Sequence, residues 1–509
     1  MYKSILDYFD ETVLGNKEKN ALLHKEESCT FAELQKRGKK LGTLLADKIG
    51  KQSFLPIVVL LPKSIDAVVA DIGILYSANV FNNLDVKTPA HRLENILRLL
   101  KPAAVITSGQ YIDIIDWKEH PMEVVNVDDL DFDNMSIDEK ELSKRRGKLV
   151  DTDPFCIINT SGSTGTPKGV VLNYRSFFDF LTWSVETFHF SGDEVIGALS
   201  PIVFDIYDFE ICLMMMKGSS MVLLDSALGV FPAKLLMELQ EKKVNFLFWV
   251  PTIMVNIANM DLLEKLPLPD IKTVWFAGEV FPTKQFNYWK KHLPQAVFAN
   301  LYGPIEITLD CIYYIVDKDF DDDEPLPIGI PCNNTDILLL SEEDNLCGVG
   351  EEGEICVRGT SLAMGYYNNP DKTAAAFVQN PLNTAYPELI YRTGDIASYG
   401  EDGLIHFKGR KDTLVKHQGY RIELGEIEHE ILNNLKLVTN CCVVYDNKNK
   451  NIVLFYEESG KTEVEIRKAL GNSFPRYMVP TVYHVMEELP RNTNGKIDRL
   501  KLSQMVVNE

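Results

Sequence analysis

The chain has 509 residues, 45% of them hydrophobic and 25% charged, and its formal net charge is −21. That acidity argues against general nucleic-acid binding, and no run approaches the roughly 20 uninterrupted apolar residues of a membrane-spanning helix. The length allows several cores and more than one domain.

The first ten residues, Met1 to Asp10, carry acids where a secretory signal needs a basic end and an apolar run, so a cytoplasmic protein is expected. Leu55 to Leu61 reads as a buried strand and Ile65 to Tyr76 has helical apolar spacing. Short apolar runs at Ala103 to Thr107, Phe155 to Ile158, Ser220 to Leu224, Phe246 to Val250 and Thr273 to Phe276 suit strands separated by helices. This alternation predicts an α/β fold. The acidic run Asp319 to Glu324 reads as a solvated loop. After Gly409 to Asp412 the pattern changes to a compact unit of about 100 residues. In it Glu426 to Asn433 and Glu463 to Leu470 are expected to be helical, with strands at Cys442 to Tyr445 and Ile452 to Tyr456. The expected division is a large layered α/β domain over 1–411 and a small α+β domain over 412–509. The nine cysteines show no CxxC spacing and read as reduced, mostly buried thiols.

Chemistry concentrates in a few segments. Asn159-Thr-Ser-Gly-Ser-Thr-Gly-Thr-Pro-Lys-Gly-Val170 holds three glycines, three threonines and two serines. So little side-chain bulk lets backbone N–H groups and hydroxyls close around phosphate oxygens, with Lys168 adding positive charge. It is not the P-loop of kinases, which needs Ser or Thr directly after Gly-Lys, whereas Lys168 lies between Pro167 and Gly169. Composition alone would allow a flexible loop. The order of the residues and the segments that follow point to a polyphosphate clamp.

The segment resembles the phosphate loop of the adenylate-forming superfamily, which comprises acyl-CoA synthetases, luciferases and peptide-synthetase adenylation domains. Further matches follow in the family's order across nearly the whole chain. Asn300-Leu-Tyr-Gly-Pro-Ile-Glu-Ile-Thr308 resembles its adenine and magnesium segment. The resemblance implies ATP and Mg²⁺, with Tyr302 on the base and Glu306 on the metal. Ile305 stands where the family usually has Thr. Tyr391-Arg-Thr-Gly-Asp395 is similar to its ribose site, giving Asp395 the ribose hydroxyls and Arg410 a second contact. Gly409 to Glu428 resembles its hinge and hairpin, with Asp412 as hinge residue. Asn494-Gly-Lys-Ile-Asp-Arg499 places Lys496 on its mobile catalytic loop. The implied nucleotide contacts are thus Thr160, Ser161, Gly162, Ser163, Thr164, Gly165, Lys168, Gly278, Glu279, Asn300, Leu301, Tyr302, Gly303, Pro304, Ile305, Asp395, Phe407, Arg410 and Lys496. Lys496, Lys168, Glu306 and Asp412 carry the catalytic roles.

Ser200-Pro-Ile-Val-Phe-Asp-Ile-Tyr-Asp-Phe-Glu210 resembles the amino-acid-specific branch, in which an Asp pairs with the substrate ammonium. Asp205 takes that place. The branch's pocket positions fall on Asp205, Ile206, Phe209, Phe248, Trp275, Ala277, Leu301, Leu309, Asp310 and Lys496. Three bulky aromatics imply a short substrate side chain, and Asp310 offers an acceptor for a hydroxyl or second amine. No carrier domain follows the lysine loop, so a freestanding enzyme loading a separate phosphopantetheinylated carrier protein is expected. Phe276 to Pro282 also resembles the D-alanine carrier protein ligases. Those typically have Cys where this chain has Ala277, which makes peptide natural-product loading the preferred reading. An acyl-CoA synthetase and a silent carrier-binding homologue are the alternatives.

Overall fold

The computed structural model describes residues 2–507 except 89, 118–121, 161–167, 411–413, 418–419, 447–448, 450, 458–459, 475–477 and 493–494. The chain divides into two compact units. The first comprises Met1–Phe320, Ile328–Ile337 and Cys356–Arg392, and the second Asp321–Pro327, Leu338–Ile355 and Thr393–Glu509.

Two sheets build the first unit. A seven-stranded sheet runs, edge to edge, through Gly365–Tyr366, Lys168–Asn173, Pro154–Thr160, Val80–Asn83, Pro56–Leu60, Ala104–Thr107 and Glu123–Asn126. Its last five strands are parallel, and Lys168–Asn173 turns back antiparallel on Pro154–Thr160. A nine-stranded sheet orders Ile330–Pro331, Ile312–Ile315, Val297–Tyr302, Thr273–Ala277, Phe246–Trp249, Val195–Ala198, Ser220–Leu223, Asn20–His24 and Glu27–Thr30. Its central strands are parallel and buried, as sheets covered on both faces require. The helix Ile65–Tyr76 starts and stops where its apolar spacing predicts, with Ser64 capping it by accepting from the Ala67 amide.

The helix Asp205–Lys217 buries two acids among apolar side chains. Asp208 and Glu210 are almost fully buried on it, and Tyr207 donates to Asp71 Oδ2 at 3.0 Å. Asn83 donates to the same oxygen at 3.3 Å, while Asp71 Oδ1 has no partner. Burial pushes the Asp71 carboxyl up to about 8. A raised carboxyl is neutral in the fold but ionised in the unfolded chain between about 4 and 8, so stability falls as pH climbs through that window. Asp71→Asn mimics the protonated acid and should flatten the fall. Urea titrations across the window should show the unaltered protein losing on the order of 1 kcal/mol or more relative to the variant by its upper end. Parallel stability curves would refute this.

In the second unit, Asp395 stands opposite Arg410 in the antiparallel pairing of Leu389–Tyr399 with Ile405–Arg410. A three-stranded sheet of Cys441–Asp446, Asn451–Glu457 and Val482–Met486 is buried on both faces. Val443 and Leu454 join a cluster with Ile427, Ile466 and Leu470, whereas Val444 and Phe455 pack with Leu502. The helix Glu463–Ser473 begins in a capping box of Thr462 and Glu465. Glu428 and Arg499 form a two-pronged ion pair at 2.6 and 2.8 Å, which anchors the start of the last helix, Arg499–Val507.

Of the described cysteines, all nine are free and only Cys347 is not buried. Asp321 to Glu324 are exposed, as a solvated acidic loop requires.

Candidate active site

Lys168 opens its strand opposite Thr160. Ser161, Gly162, Ser163, Thr164 and Gly165 lie outside the described residues. On the other side of the Lys168 strand, Gly365–Tyr366 pairs so that Tyr366 faces Val170. This register brings the Tyr366 ring under the Lys168 ammonium, with Nζ 4.8 Å from the ring centroid. The Tyr366 hydroxyl in turn donates to Glu306 Oε1 at 2.7 Å. Burial, reinforced by the Glu306 charge, pushes the Tyr366 and Tyr391 phenols far above their usual range. Both phenols therefore stay protonated beside the Glu306 carboxyl.

Glu306 itself sits in a single 3-10 turn, Ile305–Ile307, after Pro304, and its carbonyl accepts from the Ala363 amide at 2.9 Å. Half-buried, it presents hard carboxylate oxygens at the far end of the Tyr366 side chain from its ring contact with Lys168. That donor type suits Mg²⁺. The chain then turns tightly. A Cβ on Gly303 would stand 2.3 Å from the Leu309 carbonyl oxygen and 2.5 Å from Asp310 Cα, so only glycine fits there. Thr308 and Leu309 both take positive φ, 58° and 66°. A bulky residue so placed stores strain, and here the strained turn aims the Leu309 amide at the Asp205 carboxylate.

Asp205 is the first residue of the helix Asp205–Lys217 and is half-buried, with its Oδ1 accepting from the Ile206 amide at 3.0 Å. Burial raises its carboxyl to about 6, although the amides of Ile206 and Leu309 oppose that shift. Among the described residues no lysine, arginine or histidine pairs with it. Asp310 is buried, and desolvation together with the Asp205 charge lifts its carboxyl well above the usual range.

Behind Asp205 the space is filled. Phe209, Phe248 and Trp275 are each 0% exposed. Trp275 stacks on Phe209 at 5.3 Å and meets Phe248 edge-on at 5.3 Å. The sequence places these three in a pocket, and the structure brings them together as packed core. Ala277 and Leu301 are also buried and face each other across adjacent strands, while Ile206 and Leu309 flank Asp205. Trp275 Nε1 remains a buried donor without a hydrogen bond.

Asn300 and Tyr302 lie at the end of the strand Val297–Tyr302 that carries Leu301. Gly278 takes φ 83° just beyond Ala277. Glu279 caps the helix Pro251–Asn259, accepting from the Thr252 amide at 3.0 Å and its hydroxyl at 2.5 Å. Its carboxylate is thus held by the protein. In the second unit, Asp395 is buried, and Phe407 stands opposite Ala397 in the strand that ends at Arg410. Lys496 lies in a tight turn, its amide donating to Asn492 Oδ1 at 3.1 Å and its carbonyl accepting from the Asn492 amide at 2.8 Å. Asp412 lies outside the described residues.

Tyr366 has no motif to announce it, and its role follows only from strand register. Tyr391 stands within a segment that sequence reasoning singled out, yet it shows its contact with Tyr366 and Glu306 only in three dimensions.

The family model described as AMP-binding enzyme matches residues 9–367. The chain belongs to this family. This AMP-binding enzyme is 30% identical to zwittermicin A synthase ZmaJ of Bacillus cereus, over 99% of the chain and 95% of that protein. It is also 30% identical over 99% of its length to bacitracin synthase 1 of Bacillus licheniformis, of which it spans 9%. The chain spans less than a tenth of the length of the two bacitracin synthases it matches. Klebsiella oxytoca NpsA in complex with 3-hydroxyanthranilyl-AMSN shares its fold, with a TM-score of 0.82 and 21% identity over the whole of both chains. The match to the family model and to ZmaJ places the chain among the AMP-binding enzymes of the adenylate-forming superfamily. No helix among the described residues is long and apolar enough to cross a membrane.

Proposed function

We propose that the enzyme activates a small amino acid as its aminoacyl-adenylate and passes it to the phosphopantetheine thiol of a separate carrier protein. A half-buried Asp205 with no cationic partner among the described residues carries this reading. Desolvation of a carboxylate without a counter-charge is costly, and a substrate ammonium offsets that cost. The close packing of Phe209, Phe248 and Trp275 supports a short substrate side chain.

In the first step a carboxylate oxygen of the substrate attacks the α-phosphorus of ATP, and pyrophosphate leaves. In the second a thiolate attacks the acyl carbon, and AMP leaves. Neither step requires a covalent bond to the protein, so positioning and charge stabilisation supply the catalysis. Lys168 would hold phosphate oxygens, with its side chain steered by the Tyr366 ring. Glu306 would hold Mg²⁺, which when bound offsets phosphate charge. Asp395 and Arg410 would take the ribose, and Tyr302 the adenine. Lys496 would bridge the substrate carboxylate and the α-phosphate, and rotation about Asp412 would then withdraw it.

Pyrophosphate release from ATP across a panel of L-, D- and β-amino acids tests the reading. One small amino acid should raise release well above the amino-acid-free background, and its label should then appear on an added holo-carrier. Silence across the panel with ATP still bound would overturn it.

A further inference from the structure

Lys63 lies between the strand Pro56–Leu60 and the helix Ile65–Tyr76. Its Nζ donates to three successive backbone carbonyls, those of Ala198, Leu199 and Ser200, at 2.7, 2.8 and 3.0 Å. An ammonium has three donors, and here all three are engaged. Those carbonyls mark where the strand Val195–Ala198 ends and the loop to Asp205 begins. The lysine follows a strand of the seven-stranded sheet, while its acceptors close a strand of the nine-stranded one. One side chain therefore fastens the two sheets together at the root of the Asp205 loop.

The other end of the loop is addressed by the same charge. Glu210 lies on the helix that starts at Asp205, fully buried, with neither carboxylate oxygen hydrogen-bonded. Its electrostatic partner is Lys63. The charged groups that act on the ammonium are Glu210 and Asp225, and Lys63 in turn acts on His24. An apolar side chain could fill this volume without the desolvation that drives the Lys63 ammonium down to about 8. What an apolar residue cannot do is satisfy three carbonyls at the loop's start while drawing the helix toward them.

We propose that Lys63 is a positioning residue for substrate selection, in which its ammonium pins residues 198–200 and so fixes where Asp205 meets the substrate ammonium. The proposal rests on the reading of Asp205 given above. A small displacement of a group that orients a reactant weakens its use steeply.

The test is Lys63→Met with two readouts. The KM for the amino acid in pyrophosphate exchange should rise roughly tenfold or more while the KM for ATP stays within about twofold, since Lys168, Tyr366 and Glu306 are untouched. Amide hydrogen exchange should quicken in peptides covering 199–206 and stay unchanged in those covering 168–173. Equal rises in both KM values, or unchanged exchange over 199–206, would overturn the proposal. If no amino acid supports exchange of pyrophosphate in the unaltered protein, the proposed function fails. The hydrogen-exchange result then still decides whether Lys63 holds the loop. Should Lys63→Met not fold, Lys63→Gln, which keeps an amide donor of shorter reach, carries both readouts in the same direction.

Discussion

Replacing Asp205 by Ala should lower kcat/KM for the amino acid by about 10²–10³-fold, with KM for ATP nearly unchanged. The size follows from removing one partner of a charge pair and leaving the substrate ammonium without the counter-charge that Asp205 supplies in the proposed function. The selectivity follows from geometry, because the Lys168, Tyr366 and Glu306 cluster keeps every contact it has. A pH signature separates this role from a structural one. Burial raises the Asp205 carboxyl to about 6, and only its ionised form pairs with an ammonium. The carboxylate is present above that value, so kcat/KM should climb as pH rises through about 6 and level off beyond it. Asp205→Ala should lose this limb while keeping any that belongs to the phosphate cluster. An unchanged rate with a non-amino acid in the variant would instead favour the acyl-CoA synthetase reading.

The strands and helices most legible in the sequence are those whose pattern is local. Ile65–Tyr76 is helical over the residues its spacing marks, and the apolar runs at Ser220, Phe246 and Thr273 are buried parallel strands. The candidate site divides along the same line. Lys168, Glu306 and Asp205 stand in segments whose composition and order are informative by themselves. The contacts that tune them are not local. Tyr366 reaches Glu306 across 60 residues of chain, and Lys63 reaches Ala198 across 135. No spacing rule encodes either, since both depend on which strand ends come together. The aromatic positions show a further limit. A sequence gives the bulk of Phe209, Phe248 and Trp275, whereas their complete closure against one another appears only once strand pairing sets Phe248 beside Trp275.

Lys496→Ala is expected to slow adenylate formation by about 10²–10³-fold, the cost of one preorganised donor to developing charge, or roughly 3–4 kcal/mol. The turn around the lysine is held through its backbone. Gly495 takes φ 77° and its amide donates to the Asn492 carbonyl at 3.0 Å. The Asn492 side chain receives the Lys496 amide, and Arg491 Nη1 donates to the Gly495 carbonyl at 2.8 Å. Every one of these bonds uses the backbone of residues 495 and 496, so alanine preserves them. The two half-reactions then part company. In the proposed mechanism Lys496 assists only while pyrophosphate leaves, so transfer from a supplied aminoacyl-adenylate to the carrier thiol should proceed at close to the unaltered rate. Rapid-quench measurement of each half-reaction reads the difference directly. Equal loss in both would mean that the residue supports the fold of the second unit instead of the chemistry of the first step. A variant with full adenylation activity would pass the bridging role to Lys168, whose ammonium stands over the Tyr366 ring.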